Sequence, residues 1–560
     1  MQLQVKQINS LEKVRLNDAL HYTEISSAKV LKGERFSYQI AMCGPWALLK
    51  AEVASVLKDS IKLYVIDNAP MDYTVYDAER APSDDDYITK TPGLMPDILI
   101  PFEDRGAVKL VEGTSKAIWV RVDVPKDIEP GCYDIHVRLK SIVKDGVGNA
   151  VGESSEGFDV TKSFTLQIVN AVLPKQKTIY SQWFHADCIS DYYNVPIYSQ
   201  KHWDLIENYM QAAVDTGINM LLMPVITPPL DTMPGTARPC VQLVDITKEG
   251  DSYSFNFNKV RQWIALCKKC GIQYYEISHL FSQWGSAFSP NIQIRVDGEL
   301  QYYFTWGIAS DSKEYRDFLS CFIPQLVTVL KEEGVDQNTF FHISDEPRAD
   351  HIEQYENAYK LVKPLIGDIK TCDALSKYSF YEKGLVEYPI TCTSSINEFL
   401  PHNVPNQWVY YCCGQINKLS NRLLSMPSHR NRVMGLQMYR YAVKGFLHWG
   451  YNFYNAELSA YRIQPYQTTS GDASYPSGDP FSVYPGKDGA LLSLRSLVFF
   501  EGLQDIAVLE LLEKYIGFEA VKDFIRDCAG MEITFEEYPR NSRFLPELRQ
   551  KAIEEIEKHT

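Results

Sequence analysis

KEYRDFLSCFIPQLVTVLKEEGVDQNTFFHISDEPR, residues 313–348, decides the fold. It opens as an amphipathic stretch of helical length and continues as the short apolar run NTFFHIS at 338–344. It then breaks at Asp345, Glu346 and Pro347, before a further helix near Ala349. A long helix leading into a short buried strand is the unit of a parallel sheet with crossover helices, and the same rhythm runs outward in both directions. Upstream it gives strands at 178–185 (TIYSQWFH), 218–224 (INMLLMP) and 273–280 (QYYEISHL), the first two separated by HWDLIENYMQAAVDTG. Downstream it gives strands at 369–374, 389–394, 407–413 and 446–454. Eight strands joined mostly by amphipathic stretches predict a closed (β/α)8 barrel of the TIM type.

Before Thr178 the rhythm is different. RFSYQIAMCG, SIKLYVIDNAP, KAIWVRVDVP, GCYDIHVRLK and SFTLQIVNAVLP alternate apolar with polar residues between turn signals, which predicts a β-sandwich over residues 1–172. LPKQK at 173–177 reads as a linker, and 178–487 as the catalytic barrel. Residues 488–560 read as C-terminal helices packed on the barrel, carried by ALLSLRSLVFFEGLQDIAVLELLEKYIG and LPELRQKAIEEIEKH. Pro130 and Gly131 mark a turn between two early strands, and Asp145 and Gly146 open another loop. Gly146, Gly148 and Gly152 precede no helix, so they read as a hairpin loop and not as a phosphate cradle.

A chain of 560 residues exceeds what one hydrophobic core organises, so a multidomain protein is expected. Hydrophobic residues at 45% and charged residues at 23% suit a chain that folds throughout. Lys and Arg number 56 against 71 Asp and Glu, a formal charge of −15 that repels a phosphate backbone and argues against nucleic acid as a partner. No run approaches the roughly 20 apolar residues of a membrane helix, so no membrane insertion is expected. The first residues lack the pattern of a secretory leader, which makes the cytoplasm the expected location. Twelve scattered cysteines suit reduced thiols. Cys267 and Cys270 form an isolated C-x-x-C at the end of a helical stretch, and Cys412 and Cys413 read as packing residues of an apolar strand. With no metal-ligand cluster and no nucleotide motif, neither a metal nor a cofactor is proposed.

In a barrel enzyme the reactive side chains stand at the C-terminal ends of the strands. The fourth strand ends in Asp345 and Glu346. Successive side chains of a regular strand point to opposite faces, so both carboxyls reach one site only where extended geometry fails, as Pro347 allows. Two carboxyls this close titrate together, and one keeps its proton toward neutral pH. A protonated Glu346 beside an ionised Asp345 suits glycoside hydrolysis, where an acid must protonate the leaving oxygen. Adjacent residues do not straddle a sugar ring as the carboxylates of an ordinary retaining enzyme do, about 5 to 5.5 Å apart. They can divide the work instead. Glu346 protonates the glycosidic oxygen while Asp345 accepts the N–H of a 2-acetamido group, whose carbonyl oxygen attacks C1.

Taken alone, the dipeptide is equally a solvated loop that caps the helix near Ala349. The other strand ends tip the balance. His185 and Asp187 follow the first strand, His279 and Trp284 the third, Tyr410 and Tyr411 the seventh, and Trp449, Asn452 and Tyr454 the eighth. Singly each is a packing residue. Gathered at one barrel mouth, rings and hydrogen-bonding groups make a carbohydrate pocket, and a carbohydrate is the partner they imply.

HISDEP at 342–347, SHLFSQWG at 278–285, HWGYNFYN at 448–455, GDPFSVYPG at 478–486 and LRSLVFFEGLQD at 494–505 together resemble glycoside hydrolase family 123, over essentially the whole chain. The resemblance implies a β-sandwich followed by a (β/α)8 barrel. It implies a retaining, exo-acting β-N-acetylgalactosaminidase that removes terminal β-linked GalNAc from glycans or glycolipid oligosaccharides. Its mechanism is then substrate-assisted, through an oxazolinium intermediate. Position by position, Glu346 becomes the general acid and base and Asp345 the acetamido-orienting residue. The substrate-binding set of His185, Asp187, His279, Trp284, Tyr411, Trp449, Asn452 and Tyr454 rests on the strand-end reading alone. Two other functions stay open: a β-N-acetylglucosaminidase, whose substrate differs only at O4, and a catalytically inactive carbohydrate-binding barrel. GDPFSVYPG either closes one side of the pocket, with Tyr484 near the sugar, or connects the last strand to the final helix, and its composition favours the connector. Arg495 and Asp505 fit a buried ion pair or a cap, outside the site.

Overall fold

The computed structural model describes residues 2–76, 86–144, 150–153 and 157–560. The N-terminal region holds a five-stranded and a six-stranded sheet. Arg35–Cys43 pairs antiparallel with Ser115–Asp123 in one, and Gly131–Lys144 with Asp159–Val172 in the other. Alternation along these strands turns every second side chain inward, so that Tyr38, Ile40, Ile118 and Val120 meet Ile135, Val137, Phe164 and Leu166 in a shared core. Gln4–Asn9, Ser27–Lys32, Ala47–Ala54, Gly93–Pro101 and Val108–Leu110 are strands that the sequence pattern did not announce. The loop expected at Asp145, Gly146 and Gly148 lies outside the described residues.

Eight parallel strands then close into a barrel: β1 (Ile179–Gln182), β2 (Met220–Met223), β3 (Tyr274–Ile277), β4 (Thr339–Phe341), β5 (Lys370–Leu375), β6 (Tyr388–Cys392), β7 (Trp408–Tyr410) and β8 (Gly445–His448). β8 pairs back onto β1, and each strand overlaps one of the eight stretches expected from sequence. The strands are short and buried on both faces, which is why they read as apolar runs and not as alternation. Gln200–Asp215 follows β1, Asn258–Cys270 β2, Lys313–Glu332 β3, Ile352–Ile366 β4, Ser428–Arg440 β7 and Leu494–Ile516 β8. After β5 there is only the single turn Ser379–Glu382, and after β6 only the 3-10 turns Thr393–Glu398 and Leu400–His402, so strand–helix alternation lapses there. The connections after β2 and β3 also carry a four-stranded sheet that had no counterpart in the sequence reading.

Leu494–Ile516 is buried over most of its surface and packs on Ser428–Arg440, backbone against backbone. A Cβ on Gly435 would strike the carbonyl of Gly502, so both positions need glycine for that approach. Arg495 and Asp505 do not pair with each other. Arg495 donates to Asp97 of the N-terminal region at 3.0 Å, and Asp505 accepts from Arg432 at 2.7 Å and Arg549 at 2.8 Å. These buried ion pairs tie the helix to its surroundings, away from the barrel mouth. All twelve cysteines are free. Among the described residues no helix is long and apolar enough to cross a membrane.

Candidate active site

β4 stops at Phe341, and the residues after it set two carboxyls side by side. The backbone carbonyl of Asp345 is held by the N–H of Trp284 at 2.8 Å. Glu346 then takes φ = 42°, a left-handed conformation that costs a non-glycine residue about 1–3 kcal/mol. That reversal ends the alternation of an extended chain, so the side chains of both residues line one cavity. The cavity opens where the barrel strands end at their C-termini. Trp183, Trp284, Tyr410, Trp449 and Tyr475 bring rings to it, and Asp231 and Gln283 bring further polar groups.

Burial pushes both carboxyls above the ordinary range. For Asp345 the charge of Glu346 adds to burial, while the charge of His342 works the other way. Glu346 is raised by burial and partly relieved by Tyr410, whose hydroxyl donates to Oε1. The pair therefore retains a proton toward neutral pH. Among the described residues no protein group donates to the Asp345 carboxylate.

Deeper in the barrel, His342 lies between two acids. Its Nδ1 is 2.8 Å from Oδ1 of Asp373, and its Nε2 meets Glu276. Glu276 also accepts the indole N–H of Trp183 at 2.7 Å, and Asp373 accepts the backbone N–H of Ile343 at 3.1 Å. Burial opposes a cation here, yet Cys372, Glu276 and Asp373 outweigh it and hold the His342 pKa well above its usual value. His279 stacks on His342 with ring centroids 4.1 Å apart, and burial keeps it neutral. Donor atoms of His279, His342 and Asp373 lie within 4.8 Å of one another, close enough for a metal. An imidazolium that donates from both nitrogens has no lone pair for one.

The wall is fixed by hydrogen bonds of defined sense. Arg238 can only donate, so Nδ1 of His185 accepts from it at 3.0 Å and the proton sits on Nε2, directed to the carbonyl of Trp449 at 3.0 Å. Burial, with the charge of Arg238, lowers the His185 pKa to about 4 and keeps the ring neutral. Asp187 is spent on the same arginine, at 2.8 and 2.9 Å. Asn452 clamps the backbone of His185 at 2.9 and 3.0 Å, and Asp479 holds the indole N–H of Trp449 at 2.9 Å.

Of the residues singled out by sequence, Asp345, Glu346, His185, Trp284 and Trp449 line the cavity. Asp187 and Asn452 sit behind His185, and His279 lies deeper in the barrel. Tyr411 is buried with its hydroxyl on Asn431 at 3.0 Å, and Tyr454 donates to the carbonyl of Val483 at 3.0 Å. The alternation of β7 sends Tyr410 inward to the cavity and Tyr411 outward, a distinction that period-two reading could have drawn. Trp183, Asp231, Gln283 and Tyr475 were not foreseen. Asp231 and Tyr475 lie in long connections that carry no motif. In the loop after β8 it is Tyr475 that reaches the cavity, while Tyr484 donates to Asp97 at 2.7 Å. Cys412 and Cys413 lie beyond the end of β7 and line the cavity, where the sequence suggested strand packing.

Adjacent carboxyls that retain a proton, in a ring-walled cavity at the mouth of a parallel barrel, make a candidate glycosidase site. The family described as glycoside hydrolase 123, catalytic domain, matches residues 183–512, and the chain belongs to that family. Among solved structures it is similar to a family 123 glycoside hydrolase from Clostridium perfringens, whose structural description concerns glycolipid glycan hydrolysis. The TM-score is 0.72 over 100% of this chain and 98% of that one, at 14% identity, which is a likeness of fold. EndoBT-3987 of Bacteroides thetaiotamicron, with a Man5GlcNAc product, aligns at a TM-score of 0.22 and 9% identity over 76% of this chain and 87% of that one, too weakly to carry an argument. No curated protein matches the sequence.

Proposed function

We propose that this glycosidase is a retaining, exo-acting β-N-acetylgalactosaminidase that removes terminal β-linked GalNAc by substrate-assisted catalysis. The observation that carries the reading is the convergence of Asp345 and Glu346 on one cavity from adjacent positions. Carboxyls so placed do not flank a ring from opposite faces, so the nucleophile comes from the substrate. Glu346 protonates the leaving oxygen. Asp345, with no donor of its own, accepts the acetamido N–H and turns the acetyl oxygen toward C1. That N–H favours the anion at Asp345 and leaves the shared proton on Glu346. The oxazolinium ion that forms is positive and is stabilised by the Asp345 carboxylate. Glu346 then takes a proton from water, which opens the oxazolinium at C1 with net retention. Trp183, Trp284 and Trp449 offer faces to the apolar side of the ring.

The proposal includes a (β/α)8 barrel over 178–487 behind a β-sandwich over 1–172, joined by 173–177 and flanked by C-terminal helices over 488–560. Parallel assays with aryl β-glycosides of GalNAc, GlcNAc and galactose test the activity, with NMR of the first product anomer. The expected result is rapid release from the GalNAc glycoside, slower release from GlcNAc, none from galactose, and a β-configured product. Faster turnover of GlcNAc would replace the substrate assignment, and binding without turnover would leave a carbohydrate-binding barrel.

A further inference from the structure

Asp231 stands in the connection after β2, and the chemistry at Asp345 and Glu346 leaves it unused. Its backbone is held in place: φ is 40°, its N–H donates to Oε1 of Gln283 at 2.7 Å, and its carbonyl accepts from Ser459 at 2.7 Å. Its carboxylate is half satisfied. Oδ1 accepts the Tyr475 hydroxyl at 2.9 Å and the N–H of Leu458 at 3.3 Å, whereas Oδ2 is buried with no partner among the described residues. Asp231, Gln283 and Tyr475 line the same cavity as the catalytic pair.

A buried carboxylate oxygen without a donor is costly, and because Asp231 lines the cavity, its unpartnered oxygen marks where a ligand donor belongs. The donors that a sugar offers in quantity are hydroxyls. On the reading above, the C1 and C2 substituents go to Glu346 and Asp345, which leaves O3, O4 and O6 for Asp231. Only O4 differs in orientation between N-acetylgalactosamine and N-acetylglucosamine. A fixed acceptor with one open oxygen discriminates well, because a hydroxyl pointing the wrong way leaves that oxygen stranded. We infer that Asp231 is the specificity-determining residue of the site, accepting a hydrogen bond from O4 of the terminal sugar, with Tyr475 fixing its orientation through the other oxygen. The inference rests on the proposed reading of a terminal N-acetylhexosamine substrate.

The experiment uses the full chain and aryl β-GalNAc glycosides lacking one hydroxyl at a time, at positions 3, 4 and 6, together with the GlcNAc epimer. The wild type should lose about 10²-fold in kcat/KM on the 4-deoxy sugar and less on the others. Asp231→Asn keeps the shape and should lose a similar factor on intact GalNAc, lose nothing further on the 4-deoxy sugar, and show a collapsed preference between the epimers. Tyr475→Phe keeps the carboxylate but loosens its orientation, so it should show a preference between the epimers that is smaller than the wild type's and larger than that of Asp231→Asn. The deoxy series on the wild type stands whether or not a variant folds. An equal loss on every substrate, a loss confined to the 3- or 6-deoxy sugar, or a covalent 2-fluoro sugar adduct on Asp231 overturns the proposal. Tryptophan fluorescence during titration with free N-acetylgalactosamine and its 4-deoxy analogue separates the two readings. Discrimination that depends on Asp231, in a protein that hydrolyses neither epimer, would sink the hydrolytic reading and leave this one standing.

Discussion

Tyr410, at the end of β7, donates its hydroxyl across the barrel mouth to Oε1 of Glu346, which follows β4. The bond favours the ionised form of Glu346, whereas burial favours the neutral one. On the proposed mechanism Glu346 is protonated at the start, so its pKa sets the upper limb of the pH profile of kcat/KM. That limb is expected above the ordinary glutamate range of about 4.3, because burial raises the Glu346 carboxyl. Tyr410→Phe removes a donor to the anion, raises the pKa and moves the limb upward. Asp345→Asn removes a neighbouring negative charge and moves it downward. Profiles of the two variants beside the wild type check both directions, and a limb that neither substitution moves would show that the pair does not titrate together.

Glu346→Gln keeps the shape and removes the proton. Activity on β-linked glycans should fall by about 10²- to 10⁴-fold, with a much smaller fall for an aryl glycoside whose phenolate leaves without help. Equal losses on the two kinds of substrate would mean that Glu346 does not protonate the leaving oxygen.

The same burial has a consequence for stability. Both carboxyls are raised in the folded chain, so between about pH 4 and their raised values the fold binds protons that the unfolded chain has released. Stability from this source is complete below about pH 4 and is lost as pH rises through the folded values. An amide carries no such dependence. Asp345→Asn should therefore be nearly inactive, yet melt about 1–3 °C higher than the wild type at pH 8 and no higher at pH 4. Calorimetry at the two pH values decides it, and a lower melting point at pH 8 would show that Asp345 supports the fold.

How much of this was legible depended on whether local pattern or tertiary context chose the residue. Buried parallel strands carry continuous apolar runs, so all eight barrel strands could be placed to within a few residues. The adjacency of Asp345 and Glu346 was visible, but the left-handed turn at Glu346 that lets them converge leaves no mark in the sequence beyond Pro347. Period-two alternation puts Tyr410 and Tyr411 on opposite sides of the chain, and the structure sends Tyr410 to the cavity and the Tyr411 hydroxyl to Asn431. Asp231 and Tyr475 come from connections after different strands, and only folding brings the tyrosine hydroxyl 2.9 Å from the carboxylate. The strands Gln4–Asn9 and Val108–Leu110 escaped because short edge strands need little apolar alternation to pair.

Asp345 has no protein donor among the described residues, and on the proposed mechanism the substrate's own acetamide is its partner and the source of the nucleophile. If the acetyl oxygen attacks C1, weakening that oxygen must slow the reaction. Successive fluorine substitution on the acetyl methyl adds little bulk and draws electron density away, so kcat/KM should fall steeply from the parent through the mono-, di- and trifluoro sugars. A thiazoline that mimics the bicyclic intermediate should bind far more tightly than the product sugar, because it carries the geometry that the site stabilises. Asp345→Asn still accepts the acetamido N–H through its side-chain oxygen but supplies no charge to the oxazolinium, so it should lose most of kcat and keep much of its affinity for GalNAc. The opposing mechanism places a protein carboxylate beneath C1. It predicts rates that barely respond to fluorine and a covalent intermediate that a 2-fluoro glycoside would trap. Mass spectrometry of the protein after incubation with such a glycoside separates the two, and an adduct on any carboxylate would falsify the substrate-assisted route.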